Sequence, residues 1–514
     1  MPTAKKSVLI AGVVLSNMVA LAGCYPPQSG APAATVPGPV PTEAPAAAAA
    51  APAPTEAVVA VTPEPSPAAA EPYLAGQWEG KLAVPGAGLE ILVAFAEQEG
   101  ELVGAIDVPA QGAYGIPLHD IEFDYPRLAF AMLEGPQMGV FEGELMPDGS
   151  IAGRFSQSGV AGRFELQRPV EESAEPPPYG EEEVSFANGD VTLAGTLTLP
   201  EGDGPFPAVV LLTGSGQQNR DEELPIVPGY RPFRDIADHL TRQGFAVLRY
   251  DDRGVGGSSG DLATATTADF AQDAEAAFNY LVRRPEVEGA RVGLLGHSEG
   301  AIIAAMLAAR NPEVAFVVSM AGPSTRGYDL LLKQVERLVL ASGGSAEEAA
   351  AAAAEQRVIL DLVMAKDWDG LEAKVTELLQ GQVAALPEQQ RALIDDVDAF
   401  VQQRVAQQLE VLQSPWYQFF LAHDPGADWA RVTVPVLALF GTLDAQVDAE
   451  QNRAALEAIM AEAGNQDLTV AVLPTANHLF QDAQTGAVEE YSMLPAELVP
   501  GLLETIGDWL AALK

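Results

Sequence analysis

Cysteine is almost missing from this chain. Cys24 is the only one among 514 residues, so no disulfide can form within the molecule. Basic residues are scarce too: 28 Lys and Arg stand against 71 Asp and Glu, a net charge of −43. That balance argues against a nucleic-acid partner and reads as a solvated, soluble surface. Histidine and cysteine do not cluster, and no G-x-x-x-x-G-K-[ST] loop occurs. Neither a metal nor a nucleotide therefore has a motif behind it, and no cofactor is expected. What the chain does have is length, enough for two or more domains and a large core.

The first residues combine Lys5 and Lys6 with an apolar run from Val8 to Leu15, then Leu21-Ala22-Gly23-Cys24. The apolar run is too short to span a bilayer, and the small Ala22 and Gly23 suit cleavage. The tetrad resembles the lipobox of bacterial lipoproteins. That resemblance implies a signal peptide over 1–24, a lipid on Cys24, and an extracytoplasmic protein anchored to a bacterial membrane. An ordinary secretory signal or a short membrane anchor is the alternative. Residues 25–72 are almost entirely Ala, Pro, Thr, Glu and Ser, too poor in large apolar side chains to offset ordering entropy. They read as a disordered tether.

From 73 to 170 the pattern changes to short alternating segments, such as Leu89–Phe95, Arg127–Met132 and Gly162–Gln167, separated by turn residues such as Pro147-Asp148-Gly149. This spacing predicts a small antiparallel sandwich or barrel. Gly76-Gln77-Trp78-Glu79-Gly80 resembles the opening of lipocalin-like barrels, which would imply a ligand cavity; a closed, packed accessory barrel is the other reading, favoured for a barrel this small. A Pro-rich, acidic linker covers 171–181.

Over 182–514 a hairpin around Asn188-Gly189 is followed by alternating strands and helices. Continuous apolar runs such as Ala208–Leu212 and Val434–Phe440 fit strands buried on both faces, so the fold class is α/β, a mostly parallel sheet covered by helices. The rhythm breaks at about 323–431, where predicted helices Tyr328–Ala341, Ala346–Ala365, Leu371–Leu379 and Asp395–Leu412 form an inserted cap. The cap's Ser414-Pro-Trp-Tyr-Gln-Phe-Phe420 aromatics either fill a core or line a pocket. A final helix is expected over Pro495–Leu513.

One stretch organises this region. Arg291–Leu295 ends in Gly296-His297-Ser298-Glu299-Gly300, and an Ala-rich helix follows. A strand, a G-x-S-x-G turn and a helix make a nucleophile elbow that pushes the serine hydroxyl out. Such a serine needs a base and an acid to orient it. With five histidines the choice is short: His297 adjoins the serine, so its side chain should point elsewhere, and only His478 sits in a loop just past a predicted strand. Asp444 follows another strand end, giving the order Ser298, Asp444, His478. A rival match, Gly256-Gly-Ser258-Ser-Gly260, lacks the strand-turn-helix context. The Glu299 side chain is expected to face outward or make a local salt bridge.

With these residues in place the region resembles the α/β-hydrolases, in the esterase and serine-aminopeptidase-like branch. Thr213-Gly-Ser-Gly216 resembles the loop that gives one oxyanion donor, and Arg249–Gly260 the R-G-x-G-x-S loop. Ser414-Pro-Trp416 with Asp424-Pro425 is similar to a cap segment of acyl-ester hydrolases. The resemblance implies a serine carboxylesterase with an oxyanion hole built from the backbone of Glu299 and of Ser215 or Gly216. Its substrate would be a small acyl ester. A peptidase acting on short peptides, or a binding protein on a relic hydrolase fold, are the competing readings.

Overall fold

A computed structural model describes residue 74 and residues 76–513, apart from 85–86, 99–100, 109–112, 133–137, 147, 158–159, 169–176, 225–226, 228, 387, 392–393 and 395. The expected signal peptide with Cys24 and the expected tether at 25–72 lie outside the described residues. The chain divides into two compact units at Val170/Glu171.

In the first unit, the alternating segments form eight strands: β1 (Gly76–Val84), β2 (Ala87–Gln98), β3 (Glu101–Val108), β4 (Ala113–Asp124), β5 (Arg127–Met132), β6 (Gly139–Leu145), β7 (Ile151–Gln157) and β8 (Val160–Gln167). They pair antiparallel in sequence order, and β1 closes on β8 through Glu79↔Gln167 to Ala83↔Arg163. Closure removes the free sheet edges. It also demands close approach: a Cβ on Gly80 would lie 1.8 Å from the Glu165 carbonyl oxygen, so only glycine fits there. The interior is filled by rings. Phe130 stacks on Phe141 at 4.6 Å, and Phe164 meets Phe141 edge-on at 5.2 Å, with Trp78 and Phe155 in the same core. Of the two sequence expectations, a sandwich or a barrel, the structure takes the closed barrel.

In the second unit, eight strands form one sheet in the order β16-β15-β14-β13-β11-β12-β10-β9. The hairpin β9 (Gly180–Asn188) and β10 (Val191–Leu199) turns at Gly189, whose φ is +59°, and forms the antiparallel edge. The rest is parallel: β11 (Phe206–Leu212), β12 (Ala246–Tyr250), β13 (Val287–His297), β14 (Val317–Met320), β15 (Val436–Gly441) and β16 (Leu468–Leu473). Side-chain alternation explains the continuous apolar runs. Val210 and Leu212 pack toward the helices Thr267–Val282 and Glu299–Ala308, whereas Val209 and Leu211 pack toward Pro232–Arg242 and Leu502–Ala512.

Between β14 and β15 the chain builds the expected cap. Its helices are Gly327–Ala341, Ala346–Ala365, Trp368–Ala385, Glu388–Arg391, Val397–Leu412, Pro415–Ala422 and Pro425–Trp429. Ser345 and Glu348 form a capping box at the start of the Ala-rich helix, and that helix buries Ala349, Ala352, Ala353, Ile359, Leu360 and Val363 at helical spacing. The cap has its own core, into which Ile302 of the helix Glu299–Ala308 and Val447 of the loop after β15 also insert.

Element boundaries differ from expectation, as in the cap helix Trp368–Ala385, expected only over Leu371–Leu379. The final helix begins at Leu502, not Pro495. Pro495 and Pro500 lack the amide a helix interior needs, and Gly501 precedes the helix at φ +89°; a short 3-10 turn, Val488–Met493, comes before them. Among the described residues no helix is long and apolar enough to cross a membrane.

Phe141 is fully buried in the barrel, in ring contact with Phe130, Phe155 and Phe164. Phe141→Ala should destabilise the barrel by about 3–5 kcal/mol, read as an earlier transition in chemical denaturation. A shift below about 1 kcal/mol would mean that the ring packing is not what holds the barrel.

Candidate active site

The elbow is set by steric limits. A Cβ on Gly296 would lie 2.1 Å from the Gly300 carbonyl oxygen, and one on Gly300 would lie 2.0 Å from that of Leu212. With no side chain on either flank, strand β13 turns directly into the helix Glu299–Ala308. Ser298 takes the strain, at φ 51° and ψ −116°, and its amide donates to the Met320 carbonyl at 2.8 Å.

The three residues expected from sequence come together. Ser298 follows β13, Asp444 follows β15 and His478 follows β16, all on the C-terminal edge of the sheet. His478 Nε2 lies 3.2 Å from Ser298 Oγ, and its Nδ1 lies 2.9 Å from Asp444 Oδ2. A carboxylate only accepts, so Nδ1 carries the proton of the neutral ring and Nε2 is free to accept from the serine. The other Asp444 oxygen accepts the amides of Gln446 and Val447, each at 2.8 Å, which fixes the carboxylate in the plane His478 needs. All three side chains are buried.

The loop after β11 is pinned to its neighbour. Thr213 Oγ1 donates to Asp252 at 2.8 Å, and the Arg220 guanidinium pairs with Asp251 at 2.8 Å. The Gly214 amide donates to Glu222 Oε1 at 2.7 Å, so it is already committed. Ser215 and Gly216 follow it, Gly216 with φ +103°. The Glu299 amide stands at the N-terminus of the elbow helix. The Ser258 hydroxyl is committed elsewhere: it donates to the Asp251 carbonyl at 2.7 Å and accepts the Ala194 amide at 2.9 Å, a tie between this loop and β10.

Glu299 departs from expectation. Its side chain faces neither solvent nor a salt bridge but is buried, accepting from Thr267 Oγ1 at 2.6 Å and from Trp416 Nε1 at 2.8 Å. Burial pushes its carboxyl up to about 7, against the pull of those two donors. The cap aromatics therefore divide: Tyr417 and Phe420 fill the cap core, while Trp416 reaches the residue beside the nucleophile. His297 does point away from Ser298, as expected, yet it is not idle. Its Nδ1 lies 2.8 Å from Glu222 Oε1 and its Nε2 lies 2.9 Å from the His478 carbonyl. Glu222 and Tyr230 carry no motif, and only their place in the fold reveals them; Trp416 lies in the cap segment singled out from the sequence, but its bond to Glu299 is visible only in the fold. Among the described residues, no group of three or more His, Cys, Asp or Glu side chains could hold a metal ion.

Residues 207–483, more than half of the chain, match the family model described as the alpha/beta hydrolase fold. The chain belongs to the alpha/beta hydrolase fold family. It is a hydrolase. Esterase EstD of Thermotoga maritima is 27% identical to it over 370 residues, 71% of this chain and 74% of that protein. Shorter stretches are similar to esterase FrsA of Klebsiella pneumoniae (29% over 161 residues, 31% of this chain and 36% of that protein) and to human mitochondrial acyl-coenzyme A thioesterase 2 (35% over 111 residues, 21% and 18%). For these last two the chain spans about a third or less of their length. Among solved structures, an esterase of Pyrococcus furiosus aligns over 60% of this chain and 89% of its own, with 18% identity and a TM-score of 0.39.

In this hydrolase the raised Glu299 carboxyl sets a pH dependence of stability. A carboxyl whose folded value is raised favours the folded state fully below its ordinary value of 4.5, and that contribution is lost as pH rises to about 7. The stability of the native protein relative to Glu299→Gln should therefore fall between those limits, by an amount on the order of a few kcal/mol, and stay level above them. Thermal midpoints of both proteins across pH 4 to 8 measure it; a constant difference would exclude the buried carboxyl as the cause.

Proposed function

We propose that the protein is a serine carboxylesterase that works through an acyl-enzyme on Ser298. The observation that carries this reading is the continuous line from Ser298 Oγ through the His478 ring to a buried, doubly hydrogen-bonded Asp444, set on a strained elbow. The likeness to esterase EstD supports the ester as the bond cleaved.

Ser298 Oγ attacks the acyl carbonyl carbon while His478 Nε2 takes its proton. The oxyanion that forms is held by the Glu299 amide, at the positive end of the elbow helix, and by an amide of Ser215 or Gly216, since that of Gly214 is occupied by Glu222. His478 then gives the proton to the leaving alcohol as the C–O bond breaks. A water, deprotonated by the same nitrogen, attacks the acyl carbon; the bond from that carbon to Ser298 Oγ then breaks, His478 returns the proton to the serine oxygen, and the carboxylic acid leaves. Asp444 keeps the ring in the competent tautomer and stabilises the imidazolium.

Ser298→Ala should lower kcat/KM for short p-nitrophenyl esters by about 10,000-fold or more with an unchanged thermal midpoint. Labelling by a fluorophosphonate should vanish with it. Full activity in the alanine variant would exclude Ser298. Faster turnover of aminoacyl-naphthylamides than of esters would instead make the protein a peptidase, and a native protein that the fluorophosphonate leaves unlabelled would be a binding protein on a relic fold.

We propose further that the enzyme is carried as a surface lipoprotein, on the strength of Leu21-Ala-Gly-Cys24 and the Ala/Pro-rich stretch after it. Cys24→Ser should move the expressed protein from the membrane fraction to the soluble one and abolish labelling by radioactive palmitate.

A further inference from the structure

The loop that carries His478 is held in a conformation it would not adopt by itself. Thr475 and Phe480, neither of them glycine, have φ of 59°. Two consecutive carbonyls of this loop are gripped from outside: that of His478 by His297 Nε2 at 2.9 Å, and that of Leu479 by the Tyr230 hydroxyl. His297 is in turn bound through Nδ1 to Glu222 Oε1, the same oxygen that accepts the Gly214 amide. Tyr230 and Glu222 both belong to the stretch between β11 and the helix Pro232–Arg242, so one segment reaches the base loop twice.

The His478 carbonyl is an acceptor, so Nε2 of the His297 ring carries a proton. The Glu222 oxygen facing Nδ1 also accepts the Gly214 amide, as a carboxylate does. Against an ionised Glu222 both ring nitrogens donate, which makes the ring an imidazolium and the pair an ion pair. Burial works against the charged ring, but the charge and hydrogen bond of Glu222 outweigh it and hold the ring above the ordinary histidine value. The other titratable groups around the pair are the His478 ring, whose centroid is 5.0 Å from that of His297, with Asp444 behind it, and Tyr230 and Asp252 on the Glu222 side.

We infer that Glu222 and His297 are positioning residues: as one unit they lock the base loop and the loop after β11 together, so that the His478 ring meets the Ser298 hydroxyl. The inference rests on the reading of His478 as the base. Its physical ground is leverage. His297 immediately precedes Ser298 at the end of β13, so nucleophile and base are joined twice, once through their side chains and once through the His297–His478 backbone bond. The side-chain contact, at 3.2 Å, is at the outer limit of a useful hydrogen bond. A shift of about 1 Å in such a contact costs on the order of 100-fold in rate. Glu222 serves both ends, because the amide it fixes belongs to the loop that supplies the second oxyanion donor.

The test is a double-mutant cycle on the full-length enzyme with Glu222→Gln, His297→Gln and the double variant, each checked for an unchanged thermal midpoint. The substrate is p-nitrophenyl acetate, and kcat and KM are read separately. Glu222→Gln removes the charge that keeps the ring doubly protonated. His297→Gln keeps one donor for the His478 carbonyl without the charge, and should be milder than His297→Ala. The expected result is a loss in kcat of about 10- to 100-fold for Glu222→Gln with KM changed less than about twofold, and a double variant no worse than the poorer single one. Single variants within about twofold of native kcat, a loss confined to KM, or losses that multiply would each overturn the pairing. A second readout does not depend on folding of the variants or on turnover. Nitrogen-15 spectra of the native protein, whose five histidines are few enough to assign, should show both His297 nitrogens protonated at pH 7. One bare nitrogen there would also overturn it. If instead the native enzyme shows no Ser298-dependent turnover, the esterase reading fails, while the protonation state of His297 still stands or falls by its own spectrum.

Discussion

At Ser298 the strand and helix meet with no room for a side chain on either flank, and much else in the hydrolase unit follows from that crowding. The Gly300 Cα packs against the Leu212 carbonyl, which ties the elbow to the central strand β11, and the Gly296 Cα packs against the first turn of the helix. Because the turn cannot relax, the serine sits at a backbone angle few residues accept, and its hydroxyl stands clear of the sheet. Its neighbours on either side are then aimed in opposite directions. His297 goes toward the base loop, and Glu299 goes down to Thr267 and out to the cap. A single tight turn thus distributes three side chains among three jobs.

Around it, buried charge is handled by pairing rather than by exclusion. Asp444 has two amides and an imidazole, Glu222 an amide and an imidazole, and Asp251 a guanidinium. Each arrangement leaves the carboxylate with donors, so desolvation is offset and the group is fixed in orientation as well. Glu299, like Asp252, has no charged partner. It is given only two neutral donors, and its carboxyl rises to about 7 as a result. The backbone amide at the start of the elbow helix therefore stands beside a carboxyl whose charge is marginal at neutral pH.

The parts of this arrangement that depend on local chemistry could be read from the chain alone. Gly296 and Gly300 announce a turn, the apolar run Ala208–Leu212 announces a doubly covered strand, and Asp444 and His478 stand just past strand ends. The helix Ala346–Ala365 has the bounds expected from the sequence, and the structure adds a capping box of Ser345 and Glu348 at its start. What could not be read depends on tertiary contact. Glu222 and Tyr230 lie in a segment without periodicity and Trp416 in a short cap helix, and their partners are Gly214 and His297, Leu479, and Glu299 respectively. Sequence separation hides such pairs. Glu299 was misread for the same reason: beside a nucleophile a carboxylate suggests solvent, and only the cap brings the indole that buries it. The helix start at Leu502 was missed because apolar spacing outweighed the two prolines before it.

The cap's core includes Ile302, one turn after Ser298, and Val447, three residues after Asp444. Cap and sheet are therefore not interchangeable modules. A cap transplanted from a related chain would arrive with holes shaped for other side chains at those two positions, and the mismatch would fall on the helix and loop that hold Ser298 and Asp444. Diversification of the substrate pocket by exchange of caps is constrained to versions that also carry, or tolerate, these two borrowed residues.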